Sequence, residues 1–182
     1  KRVLNMFCYT GGFSLAALHG GAKEVISVDS SGDALAIAKR QVELNGFESS
    51  KAHWLDRDAF EVLKEYRIAK EQFDLIILDP PKFAPSAQHL ARAKKAYKDI
   101  NRSAMQMLKP GGLLYTFSCS GAMDMETFTQ TVMAASIEAV SHKKDPSLQF
   151  RVLKRLTSGH DHPKLITFPE GDYLKGLLLE RI

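Results

Sequence analysis

Two cysteines occur among the 182 residues, and they stand in different company. Cys119 lies in Thr116-Phe117-Ser118-Cys119-Ser120-Gly121, just past an apolar run that reads as a strand. A thiol at a strand tip can supply a thiolate. Thiolate addition at carbon 6 of a pyrimidine turns carbon 5, otherwise too weak a nucleophile, into an enamine carbon that can attack an electrophile. Cysteine is equally a small apolar residue that is often buried for packing alone, and that reading stands beside the first. Cys8 adjoins a glycine turn and reads as a packing residue. The natural counterpart of Cys119 in chemistry would be Asp79, which opens Asp79-Pro80-Pro81-Lys82-Phe83. Two prolines stiffen the backbone as it leaves an apolar run. Asp79 can hydrogen-bond the polar edge of a base, and Phe83 can stack on a base extruded from a duplex. An ordinary proline turn is the alternative.

A second constellation suits a nucleoside. The first apolar run ends in Cys8-Tyr9-Thr10-Gly11-Gly12-Phe13, a tight turn whose paired glycines let a ligand approach the backbone. It is not the G-x-G-x-x-G of a dinucleotide site, so a ligand without a pyrophosphate is favoured. About twenty residues on, Asp29 closes the next run, where a carboxylate can accept hydrogen bonds from both ribose hydroxyls. Asp58 follows the third run. It can accept from an adenine amine, cap the following helix, or do both.

Basic residues crowd one segment. Between Pro80 and Lys109 stand Lys82, Arg92, Lys94, Lys95, Lys98, Arg102 and Lys109, against the single acid Asp99. Such a face suits phosphates of a nucleic-acid strand, or is simply solvated. The overall charge of +4 permits a polyanionic partner without requiring one. His160 and His162 lack the carboxylate or cysteine spacing of a metal site, so no metal is expected and a substrate-loop or structural role is favoured. Two cysteines exclude a disulfide framework. No apolar run reaches the ~18 residues of a membrane helix and no signal peptide opens the chain, so it reads as soluble and cytosolic.

These residues need a scaffold, and the chain alternates accordingly. Val3 to Phe7, Val25 to Asp29, Ala52 to Leu55, Phe73 to Asp79 and Leu113 to Ser118 read as buried parallel strands. Helices are expected from Gly12, Ser31, Asp58, Gln88 and Asp124. In the fourth, Leu90, Ala93, Tyr97, Ile100, Ala104 and Met107 recur at spacings of three and four before Pro110-Gly111-Gly112 stops it. Gln149 to Leu156 and Tyr173 to Ile182 read as a final strand pair. The expectation is one α/β domain: a doubly wound, mostly parallel sheet ending in an antiparallel pair. In such a sheet ligands bind beyond the carboxyl ends of the strands, where the residues above fall. The chain enters its first strand directly from Lys1, which reads as a domain excised from a longer protein.

Taken in order, these motifs resemble the bacterial large-subunit ribosomal RNA (cytosine-C5)-methyltransferase I family, over essentially the whole chain. The resemblance rests on the Asn5-to-Phe13 turn, Ser27-Val28-Asp29, Asp79-Pro80-Pro81-Lys82-Phe83, Tyr97-Lys98-Asp99-Ile100-Asn101, Thr116 to Gly121, Asp161-His162-Pro163 and Pro169-Glu170-Gly171. It implies a class I methyltransferase that uses S-adenosylmethionine, held by Phe7, Tyr9, Thr10, Gly11, Gly12, Asp29, Ser30, Asp58, Ala59 and Asp79. It further implies Cys119 as attacking thiolate, Asp79 facing a cytosine, and ribosomal RNA as substrate along Lys82, Phe83, Arg92, Lys94, Lys95 and Lys98. Similar proteins carry an RNA-binding PUA domain and a small β-rich region ahead of this one. Amino-group methylation of adenine or guanine, and a non-catalytic nucleotide- or RNA-binding module, are the competing readings.

Overall fold

In the computed structural model, residues 1–84, 86–143, 145–159, 162–163, 165–168 and 171–182 are described, with only the backbone of residues 87, 142 and 143. Among the described residues, seven strands form one sheet: β1 (Arg2–Met6), β2 (Glu24–Asp29), β3 (Ala52–Asp56), β4 (Phe73–Leu78), β5 (Leu108–Ser118), β6 (Phe150–Leu156) and β7 (Lys175–Arg181). Five α-helices among the same residues accompany them: α1 (Gly12–His19), α2 (Gly32–Leu44), α3 (Ala59–Ile68), α4 (Leu90–Met107) and α5 (Met125–Lys143).

The strand order is β3-β2-β1-β4-β5-β7-β6. Neighbours among the first five are parallel, whereas β7 runs antiparallel to both β5 and β6. Chain direction across the sheet reverses between β1 and β4, where Met6 pairs with Leu78. The loops after β1 and β4 therefore emerge side by side, and a crevice must open between them.

Strand periodicity divides the core into two layers. Leu4 and Met6 of β1 face one side and pack with Val62, Leu63, Tyr97, Ile100 and Phe128 beneath α3, α4 and α5. Val3 faces the other side with Val25, Leu18, Val42 and Ile77, under α1 and α2. Each large side chain removed from water this way contributes roughly 1.5–3 kcal/mol. On the α1 side one polar chain interrupts the apolar layer: Asn5 Nδ2 donates to Ser14 Oγ at 2.8 Å, and Ser14 Oγ shares a 2.8 Å bond with Ser27 Oγ. All three are fully buried, so β1, β2 and α1 are registered by a linkage that a sliding helix would break.

Caps explain where the helices begin. Ser31 Oγ accepts from the Ala34 amide, Asp58 Oδ1 from that of Glu61, and Asp124 Oδ1 from that of Thr127. The boundaries elsewhere differ from the sequence expectation. Phe7 has φ 60°, which strand geometry excludes, so β1 stops at Met6. β4 stops at Leu78, leaving Asp79 as the first loop residue. A 3₁₀ turn over Ala87–His89 precedes α4, which starts at Leu90. Pro110-Gly111-Gly112 lies inside β5, which begins at Leu108. The sheet absorbs it as a bulge, with a register shift opposite Phe73 to Leu75 and Gly111 at φ 71°.

Gly11 and Gly12 separate in role. Gly11 has φ 83°, and a Cβ there would meet Ala38 Cβ and Trp54 Cη2 at 3.0 Å, so protein packing and not a ligand excludes a side chain. Nothing lies within 4 Å of a Cβ built on Gly12. We expect Gly11→Ala to destabilise the fold by about 1–3 kcal/mol, from backbone strain and overpacking together. Gly12→Ala should stay within about 0.5 kcal/mol of the parent in urea unfolding.

Candidate active site

The loop after β1 is built from alternating left-handed residues: Phe7 at φ 60°, Tyr9 at φ 47° and Gly11 at φ 83°. For the two aromatic residues this conformation is strained and must be held from outside. The Cys8 amide donates to Val28 O at 3.0 Å, and the Gly11 amide to Cys8 O at 2.9 Å. Asp29 completes the restraint, since its Oδ2 accepts from the Tyr9 amide at 2.8 Å and its Oδ1 from the Ser31 amide at 3.0 Å. Each carboxylate oxygen has further lone-pair capacity, so Asp29 can hold the loop and still accept from a ligand hydroxyl.

A cavity of about 490 Å³ lies against this loop, lined by Phe7, Tyr9, Asp29, Ser30, Asp58, Ala59, Phe60, Asp79, Pro81 and Phe83. It gathers the ends of β1, β2, β3 and β4 at the point where strand order reverses. Its volume suits a nucleoside-sized ligand. The walls are aromatic: the Phe7, Phe60 and Phe83 ring centroids lie 5.7–6.4 Å from one another. Asp29 and Asp58, at the tips of β2 and β3, and Asp79, after β4, bring carboxylates to it from strands on either side of β1. Asp58 uses one oxygen on its helix cap, and the other can accept from an amine.

Of the residues expected at a cofactor site, Thr10, Gly11 and Gly12 do not line this cavity; they shape the turn behind it. Phe60 and Pro81 do line it, although the sequence reading missed them. Their only sequence signal is position, two residues after Asp58 and Asp79. A second concavity of about 530 Å³, between α1 and the sheet, is walled by apolar residues such as Val3, Phe13, Ile77 and Tyr115. Asp29, Asp58, Asp79 and Cys119 are absent from its lining.

The thiol stands on the next strand. Because β4 and β5 are parallel neighbours with Leu78 paired to Thr116, Cys119 follows Ser118 at the tip beside Asp79 and Pro80. Its Sγ donates to Pro80 O at 3.7 Å, and the residue is half-buried, not sunk in the core. Burial first, and then the Asp79 carboxylate, hold its thiol above the ordinary range. Burial likewise raises the Asp79 carboxyl. Cys8 is buried, and burial together with Asp29 pushes its thiol up to about 12, as suits a packing residue.

Ser120 ties this tip down. Its buried Oγ accepts from the Ala84 amide and bonds the Tyr97 hydroxyl, both at 3.1 Å, linking the loops after β4 and β5 through α4. Lys175 Nζ donates to Ser120 O at 2.7 Å.

Two of the expected substrate residues stand among close neighbours. The Phe83 ring lines the cavity. It is wedged in the cavity wall, with Tyr97 at 4.8 Å between centroids and Phe60 on another side. Lys98 is not an open cation: it and Arg102 both pair with Glu138 of α5, at 2.6 and 2.9 Å, and Arg102 also pairs with Asp99. Lys109 pairs with Asp74. Lys82, Arg92, Lys94 and Lys95 are exposed. Asp161, Pro169 and Glu170, which carry part of the sequence resemblance, lie outside the described residues, as does His160.

A family profile described as S-adenosylmethionine-dependent methyltransferase matches residues 1–165. The chain belongs to this family. It is 48% identical over 179 residues to the ribosomal RNA large subunit methyltransferase I of Aeromonas hydrophila, covering 98% of this chain and 43% of that protein. Against the protein of the same name from Erwinia tasmaniensis it is 49% identical over 176 residues, covering 97% of this chain and 43% of the relative. The crystal structure of SMU.776 complexed with SAH superposes with a TM-score of 0.81 at 25% identity, over 99% of this chain and 45% of that one. The chain thus spans less than half the length of the curated relatives it matches. No helix among the described residues is long and apolar enough to cross a membrane.

The family's cofactor fits the cavity chemistry, with carboxylate acceptors for ribose and adenine and aromatic walls. Asp29→Asn leaves one of the two restraining amides without an acceptor and puts an NH₂ where a ribose hydroxyl would donate. Affinity for S-adenosylhomocysteine, measured by calorimetric titration, should fall at least ~10-fold, about 1.4 kcal/mol.

Proposed function

We propose that this chain is the catalytic domain of a ribosomal RNA methyltransferase that transfers a methyl group to carbon 5 of a cytosine in large-subunit rRNA, through a covalent adduct with Cys119. One observation carries the reading: the Cys119 sulfur lies on Pro80 O, beside Asp79, and Asp79 itself lines the cofactor cavity. A base seated at Asp79 would have the cavity on one side and the thiol on the other. The names of the relatives support rRNA as substrate.

In this reading Asp29 and Ser30 bind the ribose of S-adenosylmethionine, and Asp58 and Ala59 its adenine. Phe7, Phe60 and Phe83 enclose it and exclude water. The cofactor supplies an electrophilic methyl on a sulfonium. Cys119 loses its proton to solvent, and the sulfur pair forms a bond to carbon 6 of the base. Electron density moves to carbon 5, which takes the methyl. Loss of the carbon 5 proton and cleavage of the carbon 6–sulfur bond then return the thiolate. Asp79, its carboxyl raised by burial, hydrogen-bonds the polar edge of the base and orients it. Exposed Lys82, Arg92, Lys94 and Lys95 contact phosphates, and Lys98 acts by bracing α4 against α5.

Cys119→Ala should bind S-adenosylhomocysteine as the parent does and form no product, and RNA containing 5-fluorocytosine should trap a denaturation-stable adduct with the parent alone. Turnover by the alanine variant, with no adduct trapped, would instead indicate amino-group methylation.

The raised thiol fixes the sign of the pH dependence. A thiolate is scarce at neutral pH, so single-turnover rate should climb as pH rises toward the thiol range, close to tenfold per unit. A flat profile would remove thiolate formation from the rate.

For Asp79 the folded-state carboxyl lies above its unfolded value, so its contribution to stability is full at low pH and lost as pH rises through the folded value. Asp79→Asn should therefore raise the melting temperature at neutral pH while lowering the methylation rate at least ~100-fold.

A further inference from the structure

Lys175 opens β7 and is paired with Ser118 of β5, one residue before Cys119. It is only 7% exposed, an unusual state for a lysine. Two of its three protons go to backbone carbonyls, Ser120 O at 2.7 Å and Tyr173 O at 2.6 Å. An apolar side chain would fill this place without the cost of burying an ammonium, so packing alone does not account for it.

Resting on the reading of Cys119 as nucleophile, we infer that Lys175 is its positioning residue: the ammonium clamps the Ser120 carbonyl to the start of β7 and keeps a buried positive charge within electrostatic range of the sulfur, favouring the thiolate.

The charged groups around the thiol make this role specific. Asp79, after β4, opposes ionisation of Cys119, whereas Lys175 and Lys82 favour it. Lys82 is exposed, so water and salt screen it; Lys175 is buried and is screened far less. Burial, and to a lesser degree Lys82, lowers the Lys175 ammonium from its ordinary range, while Cys119, Asp172 and Asp124 act in the opposite sense. The Tyr97 hydroxyl also lies in the electrostatic field of Cys119. A buried ammonium thus offsets the aspartate that the base requires. The sequence pattern around Tyr173 and Lys175 marks only a strand start; the role comes from β7 lying against β5.

The test reads sulfur acidity directly, without methyl transfer. Iodoacetamide alkylates only the thiolate: the sulfur–proton bond breaks to solvent, a sulfur–carbon bond forms, and iodide leaves. Rates at Cys119 are followed by peptide mass spectrometry across pH, which separates them from Cys8. Lys175→Met should move the midpoint up by about one pH unit, slowing alkylation near neutrality ~10-fold, while Lys175→Arg keeps it within about 0.3 unit. A folded Lys175→Met with an unmoved midpoint overturns the inference.

Should Lys175→Met fail to fold, the ε-carbon resonance of Lys175 in carbon-13-labelled parent protein decides. A step at the Cys119 midpoint that vanishes in Cys119→Ser supports the coupling, and a resonance that passes that midpoint without a step overturns it. Neither readout depends on cytosine methylation, which the Cys119→Ala experiment tests separately.

Discussion

Two aromatic residues held in the left-handed region, Phe7 and Tyr9, are the constraint from which the rest of the site follows. Each costs on the order of 1–3 kcal/mol, and neither would persist in an isolated loop. The folded chain holds them with hydrogen bonds from Cys8 to Val28 and from Tyr9 to Asp29. Those acceptors belong to β2, so the loop keeps its shape only while β1 and β2 stay in register. The buried Asn5–Ser14–Ser27 chain secures that register from below. Strain at the surface and polar linkage in the core are two ends of one device. It sets Phe7 into the wall of a cavity that Phe60, Phe83, Asp29 and Asp58 also line.

Much of this was legible in the residues. Strand and helix alternation follows from apolar periodicity, and the capping roles of Asp58 and Asp124 follow from residue type. Adjacency of Asp79 and Cys119 required the further condition that β4 and β5 be neighbours, which the sheet meets. What stayed hidden depends on three-dimensional encounter. Phe83 has the composition of a stacking platform, and its neighbours Tyr97 and Phe60 reach it from elements distant in sequence. Lys98 belongs to a basic run, yet Glu138, forty residues away, neutralises it. Positive φ at Phe7 and Tyr9 was unreadable, since neither residue type announces it. The turn's glycines drew attention to the ligand, although Gly11 is there for Ala38 and Trp54.

Placing a carboxylate beside a thiol creates an electrostatic conflict. Asp79 disfavours the thiolate that a covalent route requires, and burial disfavours both charges. Before a base arrives, a protonated thiol resting on Pro80 O is the comfortable state. Such a resting thiol is also less open to adventitious oxidation, because oxidants attack the thiolate.

The place of β7 in the sheet has a consequence for biosynthesis. Although it is the last of the seven strands to leave the ribosome, it lies inside the sheet, between β5 and β6, and its first residue grips Ser120. Strand insertion of this kind joins segments far apart in sequence and is slow compared with helix formation. A nascent chain lacking β7 contains the Ala84 and Tyr97 partners of Ser120 Oγ but not the Lys175 clamp on Ser120 O. The anchoring of the turn that bears Cys119 is therefore completed only when nearly the whole described chain has emerged.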